Sequence, residues 1–188
     1  HARLALLAIE AAATRLKYLP RDLAVAMLNR RLAILSRQEN APFTSASTGV
    51  SENFDFFRNA SIDVTGKPGN WRELLGVGEQ ELRRALDYGF QPGELNEAVA
   101  NYRNALERAV QGASTRRSSD LASSLIQSIM QKQVFTSPGE DLALYGPALN
   151  KVTVDDCLQA LRQAWSATGR YVFVSGNLTL TKPDAAIL

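Results

Sequence analysis

The sequence has 188 residues, of which 45% are hydrophobic and 21% charged, proportions typical of a folded globular protein rather than a disordered one. The formal net charge is +2, from 21 Lys and Arg against 19 Asp and Glu, which argues against a strongly basic nucleic-acid-binding protein. The longest apolar run near the start, residues 4–9, is far shorter than the ~20 residues that cross a bilayer. No membrane span is therefore predicted.

The first third of the chain predicts helices followed by strands. Residues 2–17 are rich in Ala and Leu and predict a helix. Pro20 suits the first turn of a second helix, whose apolar residues recur at steps of three and four between 25 and 35. Residues 42–66 are rich in strand formers, which predicts two antiparallel strands with a turn at 55–59.

The rest of the chain predicts mainly helices. A helix that begins near Trp71 is expected to end at Gly89 in a left-handed cap, and Pro92 opens the longest helix. A further helix is predicted to be capped by Ser118 or Ser119 and to bury Leu121, Leu125 and Ile129. It is followed by a predicted loop that carries Thr136–Pro138 and Gly146–Pro147. A helix capped by Thr153 and Asp156 and a strand at 171–174 are the last predicted elements.

This order of elements predicts an α+β fold, with an antiparallel sheet and long helices packed on one face of it. We expect residues 1–180 to form a single domain and residues 181–188 to link it to the next domain. Because the chain opens with His1 rather than Met, we interpret it as a segment of a longer polypeptide.

Side chains suited to catalysis are scarce. The single histidine, His1, stands at the first position, whereas a Ser-His-Asp triad needs a positioned imidazole and a zinc site needs three or four ligands. Cys157 has no second histidine to activate it and is interpreted as a buried small residue. Gly76-Val-Gly78 lacks the third glycine of a dinucleotide-binding loop. The sequence therefore predicts no catalytic, cofactor-binding or metal-binding residue in this chain.

Charged residues occur in short clusters. Glu94 and Glu97 lie near a predicted helix start, where negative charge is stabilising, so we interpret them as structural rather than as a general acid–base pair. The basic pairs have acidic residues nearby, which favours ion pairs over phosphate contacts. The other acidic clusters are Glu79 with Glu81 and Asp155 with Asp156, and the basic pairs are Arg30-Arg31, Arg83-Arg84 and Arg116-Arg117.

Aromatic residues cluster around the predicted hairpin, at Phe54, Phe56, Phe57 and Trp71. Such a cluster forms the core between a sheet and a helix, or it lines a groove in which an extended peptide adds as a strand. Both interpretations stay open on the sequence.

Three motifs follow one another between residues 20 and 178. They are AMLNRRL at 26–32 with NAPF at 40–43, ALDYGF at 85–90 running into Glu94-Leu95, and LNKVTVDD at 149–156 with YVFVSGN at 171–177. Together they resemble the insulinase-like (pitrilysin) zinc metallopeptidases. The first resembles that family's Leu-Asn-x-Arg-Leu helix end, the second its Gly-Phe-Thr-x-x-Glu-Leu signature, and the third its Leu-x-x-Ile-Thr-x-Glu-Asp element and final strand.

The resemblance implies an α+β domain of a long bacterial peptidase, in which several homologous domains form two halves of a chamber. In that family a His-x-x-Glu-His motif and a distant Glu hold zinc, which activates water while the motif Glu acts as general base. This sequence has one histidine and lacks the motif. The resemblance therefore implies a non-catalytic domain, inactive by itself and without a cofactor, while the zinc belongs to the parent's catalytic domain.

Two departures from the family pattern stand out. Phe43-Thr44 occupies the place where supporting domains of the family carry a Tyr, so no substrate clamp is assigned. The family also carries a strand near residues 2–10, where propensity predicts a helix.

We therefore expect the parent to be a zinc-dependent metalloendopeptidase and this chain to form part of its chamber wall, packed on the zinc-bearing domain. Expected partners are the other domains of the parent and its peptide substrate, with no nucleic acid. Family analogy implies the bacterial periplasm or cell envelope. The alternative is an interaction or structural scaffold domain of a peptidase-like protein without proteolytic activity.

Overall fold

Helix α1 is the element around which the domain is built. Six of its residues are buried, including Leu23, Leu28 and Leu32, which have no exposed surface. The computed structural model describes residues 12–53, 57–130, 133–167 and 169–177. Its elements are α1 (Leu19–Leu35), β1 (Phe43–Asn53), β2 (Phe57–Gly66), α2 (Trp71–Tyr88), α3 (Pro92–Gln111), a 3-10 helix (Ala113–Thr115), α4 (Ser118–Met130), α5 (Pro138–Leu149) and α6 (Val154–Ala164).

The two strands form an antiparallel hairpin, and long helices pack against it, which confirms the predicted α+β class. Pairing runs from Phe43 opposite Gly66 to Asn53 opposite Phe57, with an irregularity between Phe43 and Ser45. The turn predicted at 55–59 is wrong in its second half, because residues 57–59 already pair within β2. Residues 54–56 lie outside the described part.

The core lies where α1 meets α2, α3, α6 and the hairpin. Leu82 and Ala85 of α2, Leu95 of α3, and Cys157 and Leu161 of α6 are buried in one cluster with α1. Complete burial of one leucine contributes about 1.5–3 kcal/mol, so this cluster is the main source of stability. The buried position predicted for Cys157 is confirmed.

Two glycines allow close packing around α2. A side chain at Gly78 would meet Val64 on β2 at 3.1 Å, so the glycine lets the helix approach the hairpin. Gly89 ends α2 with a φ of 69°, and a side chain there would lie 3.1 Å from Leu158 of α6. The helix end predicted at Gly89 and its positive φ are confirmed, but the ψ of −147° differs from that of the predicted left-handed cap. Helix α2 is continuous through Gly76 and Gly78.

One predicted loop and one predicted strand are wrong. Residues 138–149 form helix α5 rather than a loop, because Ser137 and Glu140 cap its start and Pro138 occupies its first turn. Pro147 lies in the last turn, where it interrupts little of the helix. Residues 171–174 belong to no strand in the described part, and Tyr171 is 98% exposed.

Helix α4 forms as predicted, but its apolar face is not buried. Leu121, Leu125 and Ile129, expected inside, are exposed by 37%, 44% and 75%. The spacing of apolar residues identifies an apolar helix face but does not show whether another element covers it. The predicted burial of these three residues was wrong for that reason.

At the start of the described part, residues 12–17 are helical, as propensity predicts. Residues 2–11, over which the helix and strand predictions conflict, lie outside the described part, as do residues 178–188 with the predicted linker. None of the described helices combines the length and the hydropathy needed to cross a membrane.

We predict opposite effects for alanine at two glycines of α2. Gly89→Ala should lower the free energy of unfolding by about 1–3 kcal/mol, because φ is positive and Leu158 is close. Gly76→Ala should raise it by about 0.5–1 kcal/mol, because Gly76 is helical and nothing lies within 4 Å of the new side chain. Urea unfolding followed by circular dichroism measures both, and a stabilising Gly89→Ala would contradict this account of the turn.

Candidate functional site

The first two sequence motifs meet at one arginine. Arg31, at the Arg-Leu end of the first motif, donates to both carboxylate oxygens of Glu94, at 2.6 and 2.7 Å. It also donates to the Gly89 carbonyl at 2.8 Å, and its guanidinium lies 4.9 Å from the centre of the Phe90 ring. The motif residues therefore form a structural junction between α1 and the turn that joins α2 to α3.

Glu94 has a second role at the start of α3. Its carboxylate accepts from the Gln91 backbone N–H at 2.7 Å and so caps the helix. The hydrogen bonds from Arg31 lower the pKa of Glu94, the Gln91 N–H lowers it further, and partial burial acts in the opposite direction. The carboxylate is thus held ionised, which suits an ion pair and not a general acid at neutral pH.

A small cavity of about 230 Å³ lies beside this junction, between α1 and α3. Met27, Ala98 and Tyr102 line its apolar part, and the Arg30–Glu97 ion pair of 2.7 Å borders it. Burial raises the pKa of Tyr102 to about 12, and the neighbouring Tyr145 adds to the effect. Tyr102 therefore stays neutral and serves packing.

The asparagine of the first motif holds the hairpin. Asn29 Oδ1 accepts from the Thr48 backbone N–H at 2.8 Å, and Asn29 Nδ2 donates to the Thr48 carbonyl at 3.0 Å. Both backbone groups of Thr48 therefore bond to α1. A peptide adding as a strand at this point of β1 would have to displace Asn29, which argues against a peptide groove here.

The third motif supplies a helix cap and core residues. Thr153 Oγ1 accepts from the Asp156 N–H at 3.1 Å, while the Asp156 carboxylate accepts from the Thr153 N–H at 2.9 Å. Hydrogen bonds from the Thr153 side chain and then its backbone lower the pKa of Asp156. The predicted cap is confirmed, and next to it burial raises the pKa of the Cys157 thiol to about 12.

Five of the other clustered charges, Glu79, Glu81, Arg83, Arg84 and Arg117, form ion pairs with residues three or four positions away, as the sequence predicts. Arg83 pairs with Glu79 at 2.6 Å, and Arg84 pairs with the buried Glu81 at 2.9 Å. Arg117 pairs with Asp120 at 3.1 Å. None of these contacts brings Glu79 or Glu81 next to Glu94.

Of the aromatic cluster, Phe57 is 56% exposed and Trp71 is half-buried beneath the Arg72 guanidinium. Phe54 and Phe56 lie outside the described part. His1 lies outside it too, and within 12–53, 57–130, 133–167 and 169–177 no three His, Cys, Asp or Glu side chains are placed to share a metal ion.

The sequence gives no indication of a polar cluster that forms around Arg15. Arg15 donates to Thr136 Oγ1 and to Asp141 Oδ1, both at 2.7 Å, and its guanidinium lies 5.3 Å from the Tyr145 ring centre. More than a hundred residues separate these partners along the chain. No local pattern could signal the pairing, which attaches residues 12–17 to α5.

We predict unequal effects for the two arginines of the first motif. Arg31→Met should lower the free energy of unfolding by about 1.5–3 kcal/mol, because three hydrogen bonds to half-buried groups are lost. Arg30→Met should cost about 0.2–1 kcal/mol, since its side chain and that of Glu97 are nearly half exposed. Chemical denaturation at neutral pH compares them, and equal losses would refute the junction.

The lowered pKa of Glu94 predicts a pH dependence. An ionised Glu94 stabilises the fold above the unfolded-state pKa, and this contribution is lost as the pH falls through the lower folded-state pKa. Glu94→Gln should therefore be less stable than the wild type at pH 7, and the gap should shrink below about pH 4.5. Urea unfolding across pH 3–7 measures the gap, with Glu97→Gln as the exposed control. A gap independent of pH would contradict the prediction.

The sequence matches no protein-family model, and no curated protein matches it significantly. The structure, however, is similar to solved proteases. It matches the first half of the periplasmic protease PqqL from Escherichia coli with a TM-score of 0.74 and 19% identity, over 82% of this chain and 33% of that one. A predicted insulinase family protease from Yersinia pestis gives a TM-score of 0.69 and 17% identity, over 82% and 34%.

A further structure of PqqL gives a TM-score of 0.54 and 24% identity, over 77% of this chain and 16% of that one. The chain thus spans about a third of the length of each of the first two neighbours. The three motifs and the structural neighbours agree, and the chain has the fold of an insulinase-like peptidase domain.

Proposed function

We propose that this chain is a non-catalytic domain of an insulinase-like zinc metalloendopeptidase, in which it forms part of the chamber wall. One observation carries the proposal. The structure matches over 82% of this chain, but the matched part is only a third of a neighbour that is itself the first half of a protease. A domain that accounts for one part of such a half is expected to work together with the others.

The chemistry of the described side chains supports a non-catalytic role. Zinc in such a parent would supply activation of water, and the inverted His-x-x-Glu-His motif that binds it requires two histidines, whereas the sequence contains one. Glu94 is committed to Arg31 and to the start of α3. Cys157 is buried with a raised pKa, so it is a poor nucleophile.

The geometry supports a scaffolding role instead. Arg31 and Asn29 tie α1 to the α2–α3 turn and to β1, which makes a stiff unit of helices and hairpin. We propose that residues 1–180 form this unit and that its partners are the other domains of the parent. The peptide substrate would enter the chamber that these domains enclose. Since PqqL is described as periplasmic, we propose the bacterial envelope as the parent's location.

Metal analysis of the purified 188-residue chain tests the proposal. After incubation with zinc and gel filtration, the chain should retain well below one zinc per molecule and should not cleave an unfolded peptide. The complete polypeptide should bind zinc and cleave the peptide in a chelator-sensitive manner. Stoichiometric zinc on the isolated chain, with chelator-sensitive cleavage, would overturn the proposal.

A matched variant tests the role of the carboxylates within the complete polypeptide. Glu97→Gln should change peptide cleavage by less than about twofold, because Glu97 forms an exposed ion pair. A loss of about 100-fold or more, typical of a missing general acid or base, would contradict the assignment. A complete polypeptide that neither binds zinc nor cleaves peptides would favour the scaffold without proteolytic activity.

A further inference from the structure

The cavity between α1 and α3 is a feature that the proposed function does not use. Its volume is about 230 Å³, and its lining includes the apolar surface of Met27, Ala98 and Tyr102. Pockets for drug-sized ligands begin at about 300 Å³, so this cavity suits a smaller molecule. Arg30 on α1 and Glu97 on α3 also line it, which places one positive and one negative charge beside the apolar surface.

The Arg30–Glu97 ion pair keeps further hydrogen-bonding groups for a ligand. A single hydrogen bond of 2.7 Å joins Arg30 Nε to Glu97 Oε1. Within the described part of the chain, Nη1 and Nη2 of Arg30 and Oε2 of Glu97 form no other hydrogen bond. Both side chains are nearly half exposed, so a ligand reaches these atoms from solvent.

The neighbouring carboxylate does not offer the same opportunity. Glu94 also lines the cavity, but its two oxygens accept from Arg31 at 2.6 and 2.7 Å and from the Gln91 backbone N–H at 2.7 Å. The groups left for a ligand are therefore the two Nη atoms of one guanidinium and one oxygen of one carboxylate.

These groups complement the two charges of an α-amino acid. A guanidinium binds a carboxylate through two parallel hydrogen bonds, and a carboxylate oxygen accepts from an ammonium group. In an α-amino acid the two charged groups are attached to the same carbon, just as Arg30 and Glu97 are in direct contact. An apolar side chain on that carbon would cover Met27, Ala98 and Tyr102 and remove apolar surface from water.

We propose that this cavity binds one apolar α-amino acid as a zwitterion, with its carboxylate on Arg30 and its ammonium on Glu97. A residue at either end of a longer peptide carries only one of the two charges, so the free amino acid is the better match. The proposal does not depend on the proposed function, because it involves neither zinc nor peptide cleavage.

Titration of the 188-residue chain with L-leucine, followed by NMR of the backbone amides, tests the proposal. Amide signals of residues 26–30 and 97–102 should shift and saturate with a dissociation constant below about 10 mM, while those of α6 should not shift. Glycine lacks the side chain, leucinamide the carboxylate and N-acetyl-leucine the ammonium. Each should bind at least about fivefold more weakly than leucine. Absence of saturation by leucine, or equally tight binding of any of the three, would overturn the proposal.

A pair of matched variants tests the role of the ion pair. Arg30→Met should weaken leucine binding at least about fivefold, and the chain should stay folded because the exposed pair contributes little to stability. Arg83→Met breaks a comparable exposed pair on α2, where Arg83 lies 2.6 Å from Glu79, and should leave leucine binding as it is. Weaker binding in both variants, or in neither, would overturn the proposal.

Discussion

The position of the Arg31 guanidinium is the constraint on which the arrangement of the helices depends. It satisfies a helix-capping carboxylate and a turn carbonyl at once, and it covers an aromatic ring. A planar group with several fixed donors suits this task better than a lysine would. Because Glu94 also caps α3, the direction of α3 and its distance from α1 are set by the same contact. The residues of the first two motifs thus contribute to the packing of α1 against the α2–α3 turn.

Local signals in the sequence predicted much of the fold. The Thr153–Asp156 cap, the helix end at Gly89 and the run of strand formers in the hairpin each depend on residues only a few positions apart. The helix at 138–149 was missed because Gly146-Pro147 resembles a loop, although Ser137 and Glu140 form a cap of the same kind as Thr153 and Asp156. Pro147 is tolerated because it lies in the final turn.

Contacts between distant residues could not be predicted in the same way. Arg31 and Glu94 are 63 positions apart, so spacing gives no indication that they meet, although each lies in a recognised motif. The burial of α4 was wrongly predicted for a related reason. Its 3.6-residue pattern correctly shows an apolar face, but whether that face is covered depends on parts of the molecule that the pattern does not contain.

The bonding of Asn29 to Thr48 also affects how the hairpin behaves toward other molecules of the same chain. An unpaired strand edge is a template for aggregation, and natural proteins protect such edges with charges, bulges or covering elements. Here a side-chain amide occupies the position that a neighbouring backbone would take. The protection comes from α1, the first complete helix of the described chain, so it is in place as soon as the hairpin docks on that helix.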